Sequence, residues 1–309
     1  MKLLYFFESI RNPVLDAFFS FITHLGSEAA FLAIALFIYW CVNKKAGYYL
    51  LFTGFLGITL NQFLKLAFKV ERPWVRDKNF TIVESARADA GGYSFPSGHT
   101  QNAVGIFGSI GLFFRKKIWV VCLSLSAILL TAVSRMYLGV HTPLDVLVSI
   151  ALGILLVFLV YPIISKAFEN EKAMYILTFI TIAIVSAYLC YVEFYSFPAD
   201  IDPENYKSGL KNAYSLLGAV LAFPLIYFFD KKYVKFDTKA TVSVQIIKLS
   251  LGLAIALALK SVLKAPLNAI FSGHNIAHAI RYFVLVIFAG VVWPMTFRFF
   301  KKIQSKNNL

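Results

Sequence analysis

Apolar residues gather along the chain into long runs separated by short polar breaks, at about 28–43, 46–68, 100–114, 118–138, 144–165, 174–193, 209–229, 241–263 and 280–300. A helix needs about 17–25 apolar residues to cross a hydrocarbon core, with shorter ones tolerated beside a cavity. The pattern therefore predicts nine membrane-spanning helices. A further run from Leu15 to Leu25 is too short to span and ends in His24 and Gly26, so it is expected to lie in the interface or to re-enter. Met1 to Pro13 places Glu8 and Arg11 early and lacks a long apolar core closing on small residues, which argues against a cleaved signal peptide.

Composition strengthens the membrane reading. Of 309 residues 59% are hydrophobic and 15% charged, against about 45–50% and 25% in soluble domains, and the mean hydropathy is +0.71. Disorder, collagen-like repeats and a small disulfide scaffold each need a polar, Gly/Pro-rich or Cys-rich chain and are excluded. The expected fold class is an all-α polytopic membrane protein. Cys41, Cys122 and Cys190 each fall in an apolar stretch, where a thiol packs as a small hydrophobe, and no disulfide or metal framework follows.

Thirty Lys and Arg against sixteen Asp and Glu leave a net charge of +14. If the helices alternate in direction, one side receives Lys44, Lys45, Arg115, Lys116, Lys117, Lys166, Lys172, Lys231, Lys232, Lys235, Lys239, Arg298, Lys301, Lys302 and Lys306, opposed only by Glu169, Glu171, Asp230 and Asp237. That side is expected to be cytoplasmic. The loops at 69–99 and 135–143 and the acidic loop with Asp200, Asp202 and Glu204 then face outward. The excess charge is topological, and no basic stripe on a soluble module supports nucleic acid as a partner.

Two of the outward loops hold nearly all the unusual polar residues. The first opens with Lys65, Arg72 and Pro73 and closes with Ser94-Phe95-Pro96-Ser97-Gly98-His99-Thr100, running directly into a helix. A helix start with free N–H groups receives an anion, and glycine lets backbone approach it closely. The second reads Ser134-Arg135-Met136-Tyr137-Leu138-Gly139-Val140-His141-Thr142-Pro143-Leu144-Asp145. Thr142 is a candidate cap and Pro143 fits the first helical turn, which brings the Asp145 carboxylate within reach of His141. Three fixed cations near a helix start bind an anion and not a metal, and a phosphoryl group fits planar guanidinium groups best. His141, oriented by Asp145, suits attack on phosphorus, and His99 suits protonation of the departing oxygen.

This pattern resembles the type 2 phosphatidic acid phosphatase superfamily, which includes vanadium haloperoxidases, lipid phosphate phosphatases and glucose-6-phosphatase. The motifs stand here as Lys65 with Arg72-Pro73, Pro96-Ser97-Gly98-His99, and Ser134-Arg135 with His141 and Asp145. The resemblance covers roughly residues 28–165. It implies a helical phosphatase core, to which the apolar runs give about five transmembrane helices, with about four more following it. It also implies hydrolysis through a phosphohistidine with no metal or cofactor, and Lys65, Arg72, Ser97, Gly98 and Arg135 around the phosphate. The implied organisation is an N-terminal interfacial segment at 1–27, the core at 28–168 and an extension of unassigned role at 169–309.

Other polar residues read more plainly. Asp77, Glu84 and Asp89 are expected to be solvated charges, and Trp74, Phe80, Tyr93 and Phe95 an interfacial aromatic belt in preference to a lipid entrance. His274 and His278 share a helix face but have no third ligand nearby. Lys248 and Lys260 lie in or near an apolar helix, where a charge must face protein or water. The leading expectation is a phosphatase in the plasma membrane, acting on the outer face on a lipid phosphate or diphosphate. Polyprenyl diphosphate, such as undecaprenyl diphosphate, stands ahead of phosphatidate and phosphatidylglycerol phosphate. Rival readings are a phosphotransferase using the same intermediate and a lipid-binding or transport protein that uses the cations as a headgroup anchor. A soluble haloperoxidase is disfavoured by the membrane-embedded chain.

Overall fold

The computed structural model describes residues 1–88, 90–199 and 201–300. Asp89, Asp200, Lys301, Lys302 and Lys306, all placed in loops or flanks above, lie outside the described residues. In chain order the α-helices are α1 (Lys2–Ser9), α2 (Pro13–Thr23), α3 (Glu28–Phe37), α4 (Lys44–Phe68), α5 (Pro73–Arg76), α6 (Gly98–Ala103), α7 (Ser109–Phe113), α8 (Ile118–Tyr137), α9 (Pro143–Ala167), α10 (Glu171–Phe194), α11 (Pro203–Leu221), α12 (Phe223–Phe229), α13 (Val242–Val262), α14 (Lys264–Ile270), α15 (Ile276–Ile287) and α16 (Trp293–Met295). No strand occurs among the described residues.

Seven helical stretches are long and apolar enough to cross a membrane, and an eighth counts if Pro13–Gly26 and Glu28–Val42, which meet at 55°, form one broken span. The nine predicted helices overcount for a physical reason. The run at 100–114 becomes α6, a π-helical turn at Val104–Gly108 and α7, a rod of about 24 Å at 1.5 Å per residue, short of a core about 30 Å thick. The run at 28–43 forms α3 and a π-helical turn at Ile38–Val42, and it counts as a span together with Pro13–Gly26.

The chain divides into two compact units, which interleave along the sequence. The first comprises Met1–Leu32, Tyr49–Pro162 and Phe194–Gly209; the second comprises Ala33–Tyr48, Ile163–Glu193 and the chain from Leu210 onward.

In the first unit α1, α2, α6 and α7 all pack on α8. Gly26 allows the turn after α2 to reach α6, because a Cβ there would lie 2.3 Å from the His99 carbonyl oxygen. The loop after α4 carries its own apolar core. Ala86, Ala90, Tyr137, Leu138 and Val140 are buried beside Phe7, Phe19 and Trp74, and Leu4, Phe80 and Ile82 form a second nucleus. The aromatic-belt expectation is thus corrected for Phe80 and Tyr93, which are 3% and 7% exposed and belong to the loop's interior. Asp77 accepts the Tyr5 hydroxyl at 2.7 Å, and Glu84 pairs with Arg87 at 2.7 Å.

The end of α8 closes with paired reversed hydrogen bonds. Gly139 N–H donates to Met136 O at 3.0 Å and Val140 N–H to Arg135 O at 3.2 Å, the pattern that ends a helix on a left-handed residue. Gly139 supplies it with φ +81°. Arg11 then ties the turn down by donating to Tyr137 O from Nε and Nη2 at 3.2 and 3.1 Å.

In the second unit, carbonyls within two π-helical turns accept side-chain donors: Trp40 Nε1 reaches Ala289 O at 2.9 Å and Lys248 Nζ reaches Trp40 O at 3.0 Å. Lys248 therefore faces protein, as a charge inside an apolar span requires, and its ammonium also lies 4.2 Å from the Phe297 ring centre. Lys44 pairs with Asp230 at 2.8 Å. All three cysteines are free; Cys41 is half-buried, whereas Cys122 and Cys190 are exposed on apolar spans and not packed inside the protein.

Gly139→Ala is expected to destabilise the protein by about 1–3 kcal/mol, since it forces a side chain into the left-handed region where its Cβ would meet Arg11 Nη2 at 2.7 Å. Thermal unfolding in detergent should report a lower midpoint together with lost turnover. An unchanged midpoint would contradict this account of the turn.

Candidate active site

The site is built where the turn after α8 meets the loop before α6. Thr142 and Asp145 cap the start of α9 reciprocally: Asp145 N–H donates to Thr142 Oγ1 at 3.3 Å and Thr142 N–H to Asp145 Oδ2 at 2.8 Å. The loop before α6 is clipped to the same residue, with Ser97 N–H donating to Asp145 O at 3.2 Å. Ser94 Oγ donates to Asp145 Oδ2 at 2.6 Å and stands 3.5 Å from His141 Nδ1. The direct His141 Nδ1 to Asp145 Oδ2 distance is 3.6 Å, longer than a good hydrogen bond. Ser94 thus stands between the predicted pair, a residue that sequence reasoning did not single out.

Arg72 crosses the opening. Its Nη1 donates to Val140 O at 2.9 Å, its Nε to Gly92 O at 3.0 Å and its Nη2 to Gly91 O at 2.8 Å. The same Nη1 lies 2.9 Å from His141 Nε2. A guanidinium only donates, so Nε2 must carry a lone pair and the imidazole proton sits on Nδ1, toward Ser94 and Asp145. Burial first, and then the charges of Arg72, Arg135 and Lys65, hold the His141 pKa well below the usual imidazole range. The ring is neutral, with its acceptor nitrogen facing the cations.

The other cations are anchored by oxygens that carry no charge. Lys65 Nζ donates to Tyr93 O, and Arg135, fully buried, donates from Nη1 to Thr23 Oγ1 at 2.7 Å. Thr23 belongs to the N-terminal segment, and no sequence motif marked it. Ser97 caps α6 by accepting from Thr100 N–H at 3.4 Å. A Cβ on Gly98 would lie 3.5 Å from Asn61 Oδ1, and that oxygen is buried without a hydrogen-bond partner while Asn61 Nδ2 donates to Gln101 Oε1 at 2.9 Å. His99 Nε2 is likewise buried and unpartnered. Burial, then Arg135, Arg72, His24 and Lys65, push the His99 pKa far down. The structure therefore brings together all eight nominated residues, and adds Ser94, Thr23, Asn61 and His24 around them.

Cations fixed in this arrangement can receive an anion, and a neutral imidazole can attack what it brings. The model of the PAP2 superfamily matches residues 44–169, and that of the PAP2 superfamily phosphatase transmembrane extension matches residues 214–306. Undecaprenyl-diphosphatase BcrC of Bacillus subtilis is 36% identical over 157 residues, covering 50% of this chain and 77% of the relative. The chain belongs to the PAP2 superfamily. It is a multi-pass PAP2 membrane lipid phosphatase with a transmembrane extension. Phosphatidylglycerophosphatase B of Bacillus subtilis is 32% identical over 174 residues, 52% of this chain and 79% of the relative. An undecaprenyl-diphosphatase of Sulfolobus acidocaldarius is 28% identical over 146 residues, 47% and 68%. No solved structure matches the chain.

Burial first, and the surrounding cations after it, disfavour the protonated form of both imidazoles, and a bound oxyanion offsets the part that Arg135, Arg72 and Lys65 contribute at His99. Vanadate, a mimic of the phosphoryl-transfer geometry, is expected to bind with uptake of about one proton per site near neutral pH. Calorimetric titration in buffers of different ionisation enthalpy reads this directly, and His99→Gln should abolish the uptake. Vanadate binding with no net uptake, or with proton release, would contradict the electrostatic reading.

Proposed function

We propose that this PAP2 phosphatase hydrolyses a polyprenyl diphosphate through a phosphohistidine on His141, without a metal, at the outer face of the plasma membrane. The observation that carries the reading is the chain from Arg72 to His141 to Ser94 and Asp145. The Nε2 lone pair faces a guanidinium that pairs equally well with a phosphoryl oxygen, so an entering phosphoryl group exchanges one acceptor for another. Nε2 then attacks phosphorus, the bond from phosphorus to the bridging oxygen breaks, and His99 delivers a proton to the departing polyprenyl phosphate. Asp145 and Ser94 hold the Nδ1 proton and stabilise the charge that develops on the ring. Water next attacks the phosphohistidine, gives its proton to His99 and releases inorganic phosphate. Lys65, Arg72, Arg135 and the N–H groups around Ser97 and Gly98 hold the phosphoryl oxygens.

A divalent cation in this space would meet Lys65, Arg72 and Arg135 with Asp145 as its single carboxylate. Among the described residues no cluster of three His, Cys, Asp or Glu side chains offers it a better home. The lipid reading is supported by position: Arg72 and Arg135 fall in the last turns of the spans Lys44–Arg76 and Ile118–Tyr137, and Asp145 in the first turn of Pro143–Ala167. A substrate anchored by its tail presents its headgroup at that level, while a soluble sugar phosphate gains nothing from it. Two of the relatives named above are undecaprenyl-diphosphatases and one is a phosphatidylglycerophosphatase, which supports the polyprenyl reading. The outward side is supported by the basic residues that collect at the opposite span ends.

Turnover of long-chain polyprenyl diphosphate, phosphatidate, phosphatidylglycerol phosphate and glucose 6-phosphate, compared at equal concentration in detergent with excess chelator, is expected to favour the polyprenyl substrate. Preference for phosphatidate would sink the carrier-lipid assignment, preference for glucose 6-phosphate the lipid assignment, and loss of activity in chelator the metal-free mechanism. For the topology, single cysteines at the exposed positions Asn79 and Ser208 in a cysteine-free chain should react with an impermeant thiol reagent in intact cells. One at Lys116 should not, and the reverse labelling would place the site in the cytoplasm.

A further inference from the structure

Among the described residues, the second unit buries a cation with which no carboxylate pairs. Arg281, in the second turn of α15, is 5% exposed. Its Nη2 lies 2.8 Å from His278 Nδ1, its guanidinium carbon is 5.6 Å from the Tyr282 ring centre, and its Nε is buried with no hydrogen-bond partner. The charged groups that act on His278 are all basic: Arg281, then Lys211 from α11 and Lys264 from the start of α14. Glu193 accepts the Tyr214 hydroxyl at 2.7 Å. Tyr214 in turn stacks edge-on against His274 at 5.8 Å.

A buried guanidinium without a counter-charge is unfavourable, and a cation–π contact offsets only part of that cost. Lys211 and Lys264 are exposed and add repulsion instead of relief. Such an arrangement is stable when an external anion completes it. Nε is buried with no partner beside an Nη2 that His278 braces, and this edge of the guanidinium is the one that pairs with an oxyanion. A metal on His274 and His278 is disfavoured by the same cations. Arg281 sits about one and a half turns inside the span Ile276–Phe300, and Lys211 about two turns inside Pro203–Val234, a depth of roughly 8–12 Å at 1.5 Å per residue, within reach of headgroup phosphates.

We propose that the transmembrane extension carries a phosphate-binding site of its own, in which Arg281, braced by His278 and flanked by Lys211 and Lys264, holds one phosphoryl group. The ligand is either a phospholipid headgroup or free phosphate, which share that chemistry. The inference does not rest on the function proposed for the first unit.

The full-length chain carrying Arg72→Gln, which weakens the other phosphate site, is titrated separately with inorganic phosphate and with dioctanoyl phosphatidate and followed by native mass spectrometry. One ligand per chain is expected in at least one arm. Binding in the phosphatidate arm alone assigns a headgroup; binding in the phosphate arm alone assigns the free ion; binding in both assigns the oxyanion as the recognised feature. Arg281→Gln should weaken binding by about tenfold or more, and Arg281→Lys by less, because the charge stays while the fork is lost. Lys211→Gln with Lys264→Gln, at exposed positions that spare the fold, should weaken it several-fold. Binding in neither arm, or binding unaffected by the lysine pair, would overturn the proposal even if the Arg281 variants fail to fold.

Discussion

Positive charge held out of water without matching negative charge is the constraint around which the first unit is organised. Lys65, Arg72 and Arg135 are 7%, 5% and 0% exposed, and Asp145 is the buried carboxylate among them. Their anchors are mostly dipoles: the carbonyls of Gly91, Gly92 and Val140 for Arg72, the Tyr93 carbonyl for Lys65 and the Thr23 hydroxyl for Arg135. Neutral oxygens fix the geometry while leaving the charge largely uncancelled, which is what an anion site needs. The loop after α4 must therefore turn several carbonyls inward, and its private core of Ala86, Ala90, Phe80 and Trp74 is what holds it in that shape.

Burial first, and the same charge surplus after it, disfavours protonation of both histidines. His141 is kept neutral and ready to attack, with its tautomer fixed by Arg72 on one nitrogen and by Ser94 and Asp145 on the other. His99 is kept neutral as well, a poor acid until an oxyanion arrives. In the proposed mechanism acid strength at His99 is tied to occupancy, so that the proton enters with the substrate whose leaving group needs it.

Much of this was legible in the sequence because the chemistry is carried by rare residues at helix ends. Lys65, Arg72, His99, Arg135, His141 and Asp145 stand out in a chain with 15% charged residues, and the Thr142 cap that brings Asp145 to His141 is a local matter of a few residues. Ser94 and Thr23 were not legible, since hydroxyl residues are common and their partners lie 51 and 112 positions away. Phe80 and Tyr93 misled for a related reason: aromatics in a loop at membrane level look interfacial unless the loop is known to bury them. The expected helix count exceeds the long apolar spans where two short helices around a π-helical turn make up the run at 100–114. Arg281 escaped notice because a buried arginine in an extension without motifs looks, in sequence, like an ordinary interfacial anchor.

The central claim is that His141 becomes covalently phosphorylated. The direct measurement is rapid quenching of the enzyme during turnover of a substrate labelled in its terminal phosphate, followed by mapping of the bound label. The account predicts acid-labile, base-stable phosphate on His141, present in the wild type and absent from His141→Ala. Substrate turnover that depends on His141, with no label trapped on it at any quench time before the first turnover is complete, would contradict the mechanism and point to direct attack by water.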